Sequence, residues 1–128
     1  MKFAKLVFLI AGIYGLIVLL PLYFLEAKTG QDSPPPITHP EYYYGFIGVA
    51  VAWQILFLIL STNPVRYRQM MIPAIVEKAS FGIAVVVLFL QHRVSSFTLA
   101  AALIDSTLGV LFVAAYLKTR PGRITETQ

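Results

Sequence analysis

The hydrophobic positions gather into four long runs, about Leu6 to Leu25, Tyr43 to Leu60, Met70 to Leu90 and Phe97 to Leu117. Each is about 18 to 21 residues long, enough for a helix to cross roughly 30 Å of hydrocarbon. The polar punctuation between the runs supports helices. Thr62-Asn63-Pro64 closes the second run, because proline cannot continue a helix. Pro73 falls in the first turn of the third, where a missing N–H costs little. Ser95 and Ser96 are N-cap candidates for the fourth, and Pro121-Gly122 follows it. The first run follows Lys2 and Lys5. It is too long for the apolar part of a signal peptide, and no small-residue cleavage site follows Phe24-Leu25-Glu26, so a retained helix is expected.

The connections predict the architecture. Gln91 to Val94 is short enough to force the third and fourth helices into an antiparallel hairpin, and Asn63 to Gln69 is nearly as short. The expected fold is an all-α membrane protein: one domain over residues 1–128, an antiparallel up-down four-helix transmembrane bundle. Ala11 with Gly15, Gly48 with Ala52, and Ala102 with Ser106 and Gly109 supply small residues at spacings that allow close helix approach. The one long connection, the Pro-rich loop 27–42, contains three consecutive prolines (Pro34–Pro36) and a fourth at Pro40. It is expected to be stiff, extended and without a stable helix, a lid or strap across the outer mouth of the bundle. Tyr42, Tyr43 and Tyr44 are expected at headgroup level.

Composition narrows the setting. The 128 residues are 58% hydrophobic and 12% charged, far too apolar to cover a soluble core. A net charge of +4 in a soluble protein would suggest nucleic acid, but these basic residues flank apolar spans and nucleic acid is not expected as a partner. Lys2, Lys5, Arg66, Arg68, Lys118, Arg120 and Arg123 fall on one side, whereas Lys28 and Arg93 share the other with Glu26, Asp32 and Glu41. The positive-inside rule then places both termini in the cytoplasm, with loop 27–42 extracytoplasmic. There are no cysteines, which excludes disulfides, thiol nucleophiles and cysteine-held metals.

The polar residues inside the spans carry the candidate chemistry, since ionisable groups in hydrocarbon are costly and seldom face lipid. They are Glu77, Lys78 and Asp105, with Tyr14, Gln54, Ser80, Ser106 and Thr107 as polar company. Counted by helix rise from the basic flanks, Tyr14, Gln54 and Glu77 lie roughly 12–14 Å deep, Lys78 roughly 15 Å and Asp105 roughly 20 Å. Three helices thus bring polar groups to one level. Tyr14, Gln54, Glu77, Ser80 and Asp105 form the candidate ligand-binding set, and Glu77 and Asp105 the candidate acid–base pair. Lys78 is rotated about 100° from Glu77, so the two neighbours cannot both point at one spot. Glu77 is expected toward the shared level and Lys78 away from it, either pairing with Asp105 as a structural ion pair or snorkelling to headgroups.

These groups around an apolar cavity would suit several tasks. They could protonate and deprotonate an isoprenoid or sterol-like lipid, hydrogen-bond the carbonyls of a quinone or another apolar ligand, or carry protons for a partner. No metal and no cofactor are expected. His39 and Glu41 lack a third ligand, and His92 sits in the tight hairpin as a solvated turn residue. The Arg66-Tyr67-Arg68 cluster fits an anionic-lipid contact or a plain topology signal. Membrane lipids are the expected surroundings, with other membrane subunits as further partners.

The stretch NPVRYRQMMIPAIVEK at 63–78, the following SFG, and DSTLGVLF at 105–112 resemble the small four-helix bacterial membrane proteins grouped as DoxX-like, over about Tyr42 to Leu117. The resemblance implies a four-helix protein of the bacterial inner membrane. Many members have no assigned activity, and some relatives are linked to quinone-coupled thiosulfate oxidation or membrane redox complexes; without cysteines, a thiol-based redox role does not carry over. A more distant likeness is to the four-helix sterol isomerase and sigma-receptor-like group, which holds acidic residues in a membrane cavity. It points to Glu77 and Asp105 as the corresponding groups. Two readings stand side by side: a non-catalytic accessory subunit or lipophile-binding bundle, and an intramembrane acid–base enzyme.

Overall fold

The computed structural model describes residues 2–121 and contains only helices and their connections. The helices are α1 (Lys2–Leu19), α2 (Glu26–Asp32), α3 (Pro40–Thr62), α4 (Met71–Leu90) and α5 (Ser96–Lys118). Gly122 and Arg123, read above as a helix stop and a flanking charge, lie outside the described residues. Four segments are long and apolar enough to cross a membrane: Lys2–Phe24, Pro40–Thr62, Arg68–Leu90 and Ser96–Lys118. Large apolar side chains point outward along them, among them Ile17, Val49, Ile83 and Val110. That surface fits a small membrane protein.

The boundaries differ from the sequence reading in instructive ways. The first span starts at Lys2, not Leu6, and its α-helical part stops at Leu19, not Leu25. Pro21 has no N–H to give and its ring crowds the carbonyl four residues back, so Leu20–Phe24 tightens into a 3-10 turn. The second span begins at Pro40 rather than Tyr43, because proline is preformed for the first helical position. The third and fourth shift by a single residue at one or both ends.

Loop 27–42 needs a larger correction. Glu26–Asp32 is a helix, because the prolines begin only at Pro34 and leave this segment free to coil. Seven residues are too few to persist alone. Contacts hold them: Gly30 is buried with Pro36 against it, so close that a Cβ would lie 2.9 Å from the Pro36 Cα. The proline segment therefore folds back on α2 instead of extending away. Tyr43 anchors the same region by donating to the Leu22 carbonyl at 2.7 Å, and Tyr44 donates to Glu26 at 3.3 Å.

Packing follows the order α3–α1–α5–α4. The extensive contacts are α1 with α3, α4 with α5, and α1 with α5. Although consecutive, α3 and α4 have no extensive contact with each other among the described residues. Both join one core, built on Phe8 of α1, Phe57 of α3 and Phe112 of α5. The Phe8 and Phe112 rings stack with centroids 4.3 Å apart, and Phe57 meets Phe112 edge-on at 5.0 Å. Met71 and Ala74 bring α4 into the cluster, and Ala4, Ala11 and Ala115 let the backbones close around it.

The end of the bundle beyond this core is clamped by cations. The Arg68 guanidinium lies 3.7 Å from the Tyr116 ring centroid and donates twice to the Tyr116 carbonyl, at 2.9 and 3.1 Å. It thus satisfies one of the free carbonyls at the end of α5. Lys118 sits 4.1 Å over the Phe3 ring. At the opposite end of α4, His92 takes φ 59° and Arg93 N–H donates to the Leu88 carbonyl at 2.9 Å, closing the helix into its short turn. Ser95 Oγ then caps α5 by accepting from Thr98 N–H at 3.3 Å.

Candidate functional site

Beyond the aromatic core, toward the α3 N-terminus, the helices leave a partly open cavity of about 770 Å³. Its walls come from all four spans: Tyr14 and Gly15 of α1, Trp53 and Gln54 of α3, Glu77 to Phe81 of α4 except Ala79, and Ala101 and Asp105 of α5. The absence of broad α3–α4 packing creates this space. A shallower groove of about 510 Å³ lies beside it, sharing Trp53, Glu77 and Ser80 and adding Ile72, Pro73 and Val76. Cavity and groove together run between α3 and α4.

Polar groups concentrate at the end of the cavity nearest the core. Lys78 Nζ donates to Asp105 Oδ1 at 2.8 Å and lies 3.6 Å from Glu77 Oε2, too far for a hydrogen bond. Its side chain is 4% exposed, against 21% for Glu77 and 18% for Asp105. Lys78 is the deeply buried member of the neighbouring pair. It lies on the buried stripe of α4 with Met71, Ala74, Gly82 and Val85, facing α5 where Gly109 has no side chain, and it makes the pair with Asp105 that was one of its two expected roles. A Cβ on Gly109 would stand 3.0 Å from the Lys78 Cβ. The ammonium also lies 5.2 Å from the Phe57 ring centroid, at the border between cavity and core.

Two carboxylates thus share one ammonium. Asp105 is engaged directly, while Glu77 faces the cavity with Oε2 buried and without a hydrogen-bond partner. The carboxyl-bearing helix turn is steadied by Ser80, whose hydroxyl donates to the Glu77 carbonyl at 3.0 Å.

Gln54 forms the opposite wall. It is 3% exposed, its Nε2 donates to the Ala50 carbonyl at 2.9 Å, and its Oε1 is buried without a partner among the described residues. That oxygen rests over Gly15, where any Cβ would overlap the amide. The α1–α3 crossing is therefore close because Gly15 is bare, and the closeness sets where the amide points. Tyr14 lines the same cavity, half-buried.

All five residues of the expected ligand-binding set, Tyr14, Gln54, Glu77, Ser80 and Asp105, therefore line one cavity, and Lys78 lines it with them. Ser106 packs against Gly82 on the far side of the α4–α5 contact, and Thr107 donates back to the Leu103 carbonyl at 2.9 Å; both lie away from the cavity. His39 and Glu41 bond each other at 3.2 Å in an exposed position. Among the described residues no three His, Cys, Asp or Glu side chains stand close enough to hold a metal ion.

Sequence reasoning passed over Trp53 and Gly45. Trp53 is the single tryptophan of the chain and forms part of both cavity and groove. Its position next to Gln54 was the available signal. Gly45 also lines the cavity, and a Cβ there would meet nothing within 4 Å. No protein-family profile matches the chain, and neither a curated protein nor a solved structure matches it.

Proposed function

We propose that this chain is a lipophile-binding membrane bundle, an accessory protein that holds an apolar molecule between α3 and α4. The cavity carries the proposal: it is roomy, largely apolar, floored by a few polar groups and continuous with a groove between two spans. A lipid, a quinone or another apolar molecule fits such a lining, and a route between helices suits a ligand dissolved in the bilayer. The proposal includes an antiparallel up-down arrangement in a bacterial inner membrane, with both termini cytoplasmic. The basic flanks at Lys2, Lys5, Arg66, Arg68, Lys118 and Arg120 support that orientation. The likeness to DoxX-like proteins points the same way, and association with other membrane subunits belongs to the same reading.

A second reading, acid–base catalysis on an isoprenoid or sterol-like lipid, draws on one observation. Glu77 presents a carboxyl group to the cavity that is not tied by a hydrogen bond, whereas Asp105 is committed to Lys78. In an enzyme Glu77 would exchange the proton and Asp105 would orient Lys78.

Trp53 offers a direct test. The protein in nanodiscs is titrated with a nitroxide-labelled stearyl methyl ester, which quenches tryptophan on contact. Binding in the cavity gives saturable quenching in the wild type and a weaker affinity in Gly45→Leu, whose side chain narrows the cavity. Quenching that rises linearly and equally in both proteins reflects partition into lipid and overturns the proposal. Turnover of a prenyl or sterol-like alkene by the wild type, abolished in a folded Glu77→Gln variant, would establish the catalytic reading instead.

A further inference from the structure

The seam between α3 and α4 stays open over most of its length, and that length selects a ligand class. Resting on the lipophile-binding reading, we infer that the occupant lies along the seam as one extended chain longer than a single leaflet, such as a polyisoprenoid carries.

Two spaces make up the seam. The cavity reaches Glu41 and Tyr42 at the start of α3, and the groove reaches Ile72 and Pro73 at the start of α4. A short link joins the end of α3 at Thr62 to Met71 of α4, so these two starts stand at opposite ends of the seam. Trp53, Glu77 and Ser80 line both spaces and mark their junction. From Glu41 to Trp53 α3 rises about 18 Å, and from Ser80 back to Ile72 α4 covers about 12 Å. Together they match the roughly 30 Å of hydrocarbon in a bilayer, twice the depth of one leaflet.

The lining between the ends suits a chain better than a head. At the junction the polar atoms are drawn beneath the surface. Lys78 is buried and paired with Asp105, Gln54 is buried over Gly15, and Glu77 Oε2 is buried beside the ammonium. The Ser80 hydroxyl spends its proton on the Glu77 carbonyl. Hydrocarbon is what the seam offers on either side of the junction: Phe46 and Val49 in the cavity, Ile72 and Val76 in the groove, all exposed. A polar head lodged midway would find few partners, whereas a chain needs none.

Length then discriminates. A chain as long as one leaflet fills one arm and has nothing to gain from the other. A chain twice as long must fold back or cross the midplane in a bilayer, and a seam that spans both leaflets takes it extended. Hydrophobicity does not favour protein over lipid tails, so the gain lies in packing contacts and grows with the length of seam filled. An extended isoprene unit advances about 5 Å, four bonds at the reach per bond of an extended backbone. About three units therefore match one leaflet, and about six match the seam.

The test is a competition in nanodiscs against the nitroxide-labelled ester, read by Trp53 fluorescence, with prenyl alcohols compared at equal mole fraction in the lipid. Hexaprenol, with six units, is expected to displace the probe about tenfold more effectively than farnesol, with three, the worth of some ten added atom contacts. Solanesol, with nine, should gain less than about twofold over hexaprenol, because its further units leave the seam. Val76→Phe crowds the groove from a lipid-exposed position and leaves the cavity lining untouched. It should bring hexaprenol to within about twofold of farnesol, with farnesol unchanged. Equal competition by farnesol and hexaprenol in the wild type, with the probe bound saturably, overturns the long-chain inference and leaves the cavity reading intact. An undiminished advantage of hexaprenol in Val76→Phe means that the chain does not use the groove, and also overturns it. Failure of the probe to bind saturably removes the lipophile-binding reading, and this inference with it.

Discussion

The two halves of the bundle use the same helices to opposite ends. Around Phe8, Phe57 and Phe112 the four spans close completely, with rings stacked at 4.3 Å and alanines at the crossings. Farther along, α3 and α4 separate and leave about 770 Å³ lined by Trp53, Gln54, Glu77 and Lys78. In a bilayer the lipid tails are as apolar as the side chains, so packing and polar contacts, not hydrophobicity, decide which spans adhere. The closed half has interlocking shapes. The open half keeps its polar groups paired across α4 and α5 and leaves α3 with little to grip. Lys78 stands on the border, its ammonium 2.8 Å from Asp105 and 5.2 Å from the Phe57 ring centroid.

The largest effect is expected from removing that border residue. Lys78→Met leaves two mostly buried carboxyl groups without their counter-charge, at a cost of about 3 kcal/mol in detergent unfolding. Adding Asp105→Leu should restore only part of the loss, because Glu77 still stands without its counter-charge. If the single variant unfolds like the wild type, the ion pair does not join the halves.

Phe112→Ala attacks the closed half alone. Its ring is fully buried between Phe8 and Phe57, and its removal should cost about 2 kcal/mol. When the spans associate the ring leaves lipid rather than water, so no hydrophobic transfer term is lost and the figure stays below that for a soluble core. Probe binding at Trp53 should change less than twofold if the halves are independent, roughly the limit expected for non-contacting sites. A collapse of binding would show instead that the aromatic core props the cavity open.

Gly30→Ala reports on the extramembrane cap. The added methyl meets the Pro36 backbone at 2.9 Å, and α2 should loosen by about 1 kcal/mol, seen as faster amide exchange over Glu26–Asp32. Protection in the closed core should not move.

Gly45→Leu brings the smallest change in stability and the sharpest contrast. Open space surrounds the new side chain and leucine suits a helix better than glycine, so stability should hold or rise by about 0.5 kcal/mol. Probe binding should nonetheless weaken. A variant that is stable and binds as tightly as the wild type would mean that the ligand avoids the open half.

Much of the architecture could be read from the chain. Long apolar runs bounded by Asn63-Pro64, Ser95 and the basic flanks locate the four spans to within a few residues, because bilayer thickness sets a length that sequence displays directly. Misreadings arose where local rules competed. Pro21 lies inside an apolar run that length alone would have made one helix, and Glu26–Asp32 coils because its contacts with Pro36 and its neighbours are invisible to composition.

The site divides along the same line. Sequence by itself determined that Glu77, Lys78, Gln54 and Asp105 lie within spans, since an ionisable residue amid apolar neighbours is visible in one dimension. Only the tertiary structure decided that α3 pairs with α1 rather than with α4, that Lys78 and not Glu77 is the deeply buried partner, and that Gln54 turns its oxygen over Gly15. The physical reason is rotational. Spans that are apolar nearly all round carry no strong stripe to say which face looks inward. That choice belongs to the steric fit of glycines, alanines and aromatic rings between helices, which exists only once the helices have met.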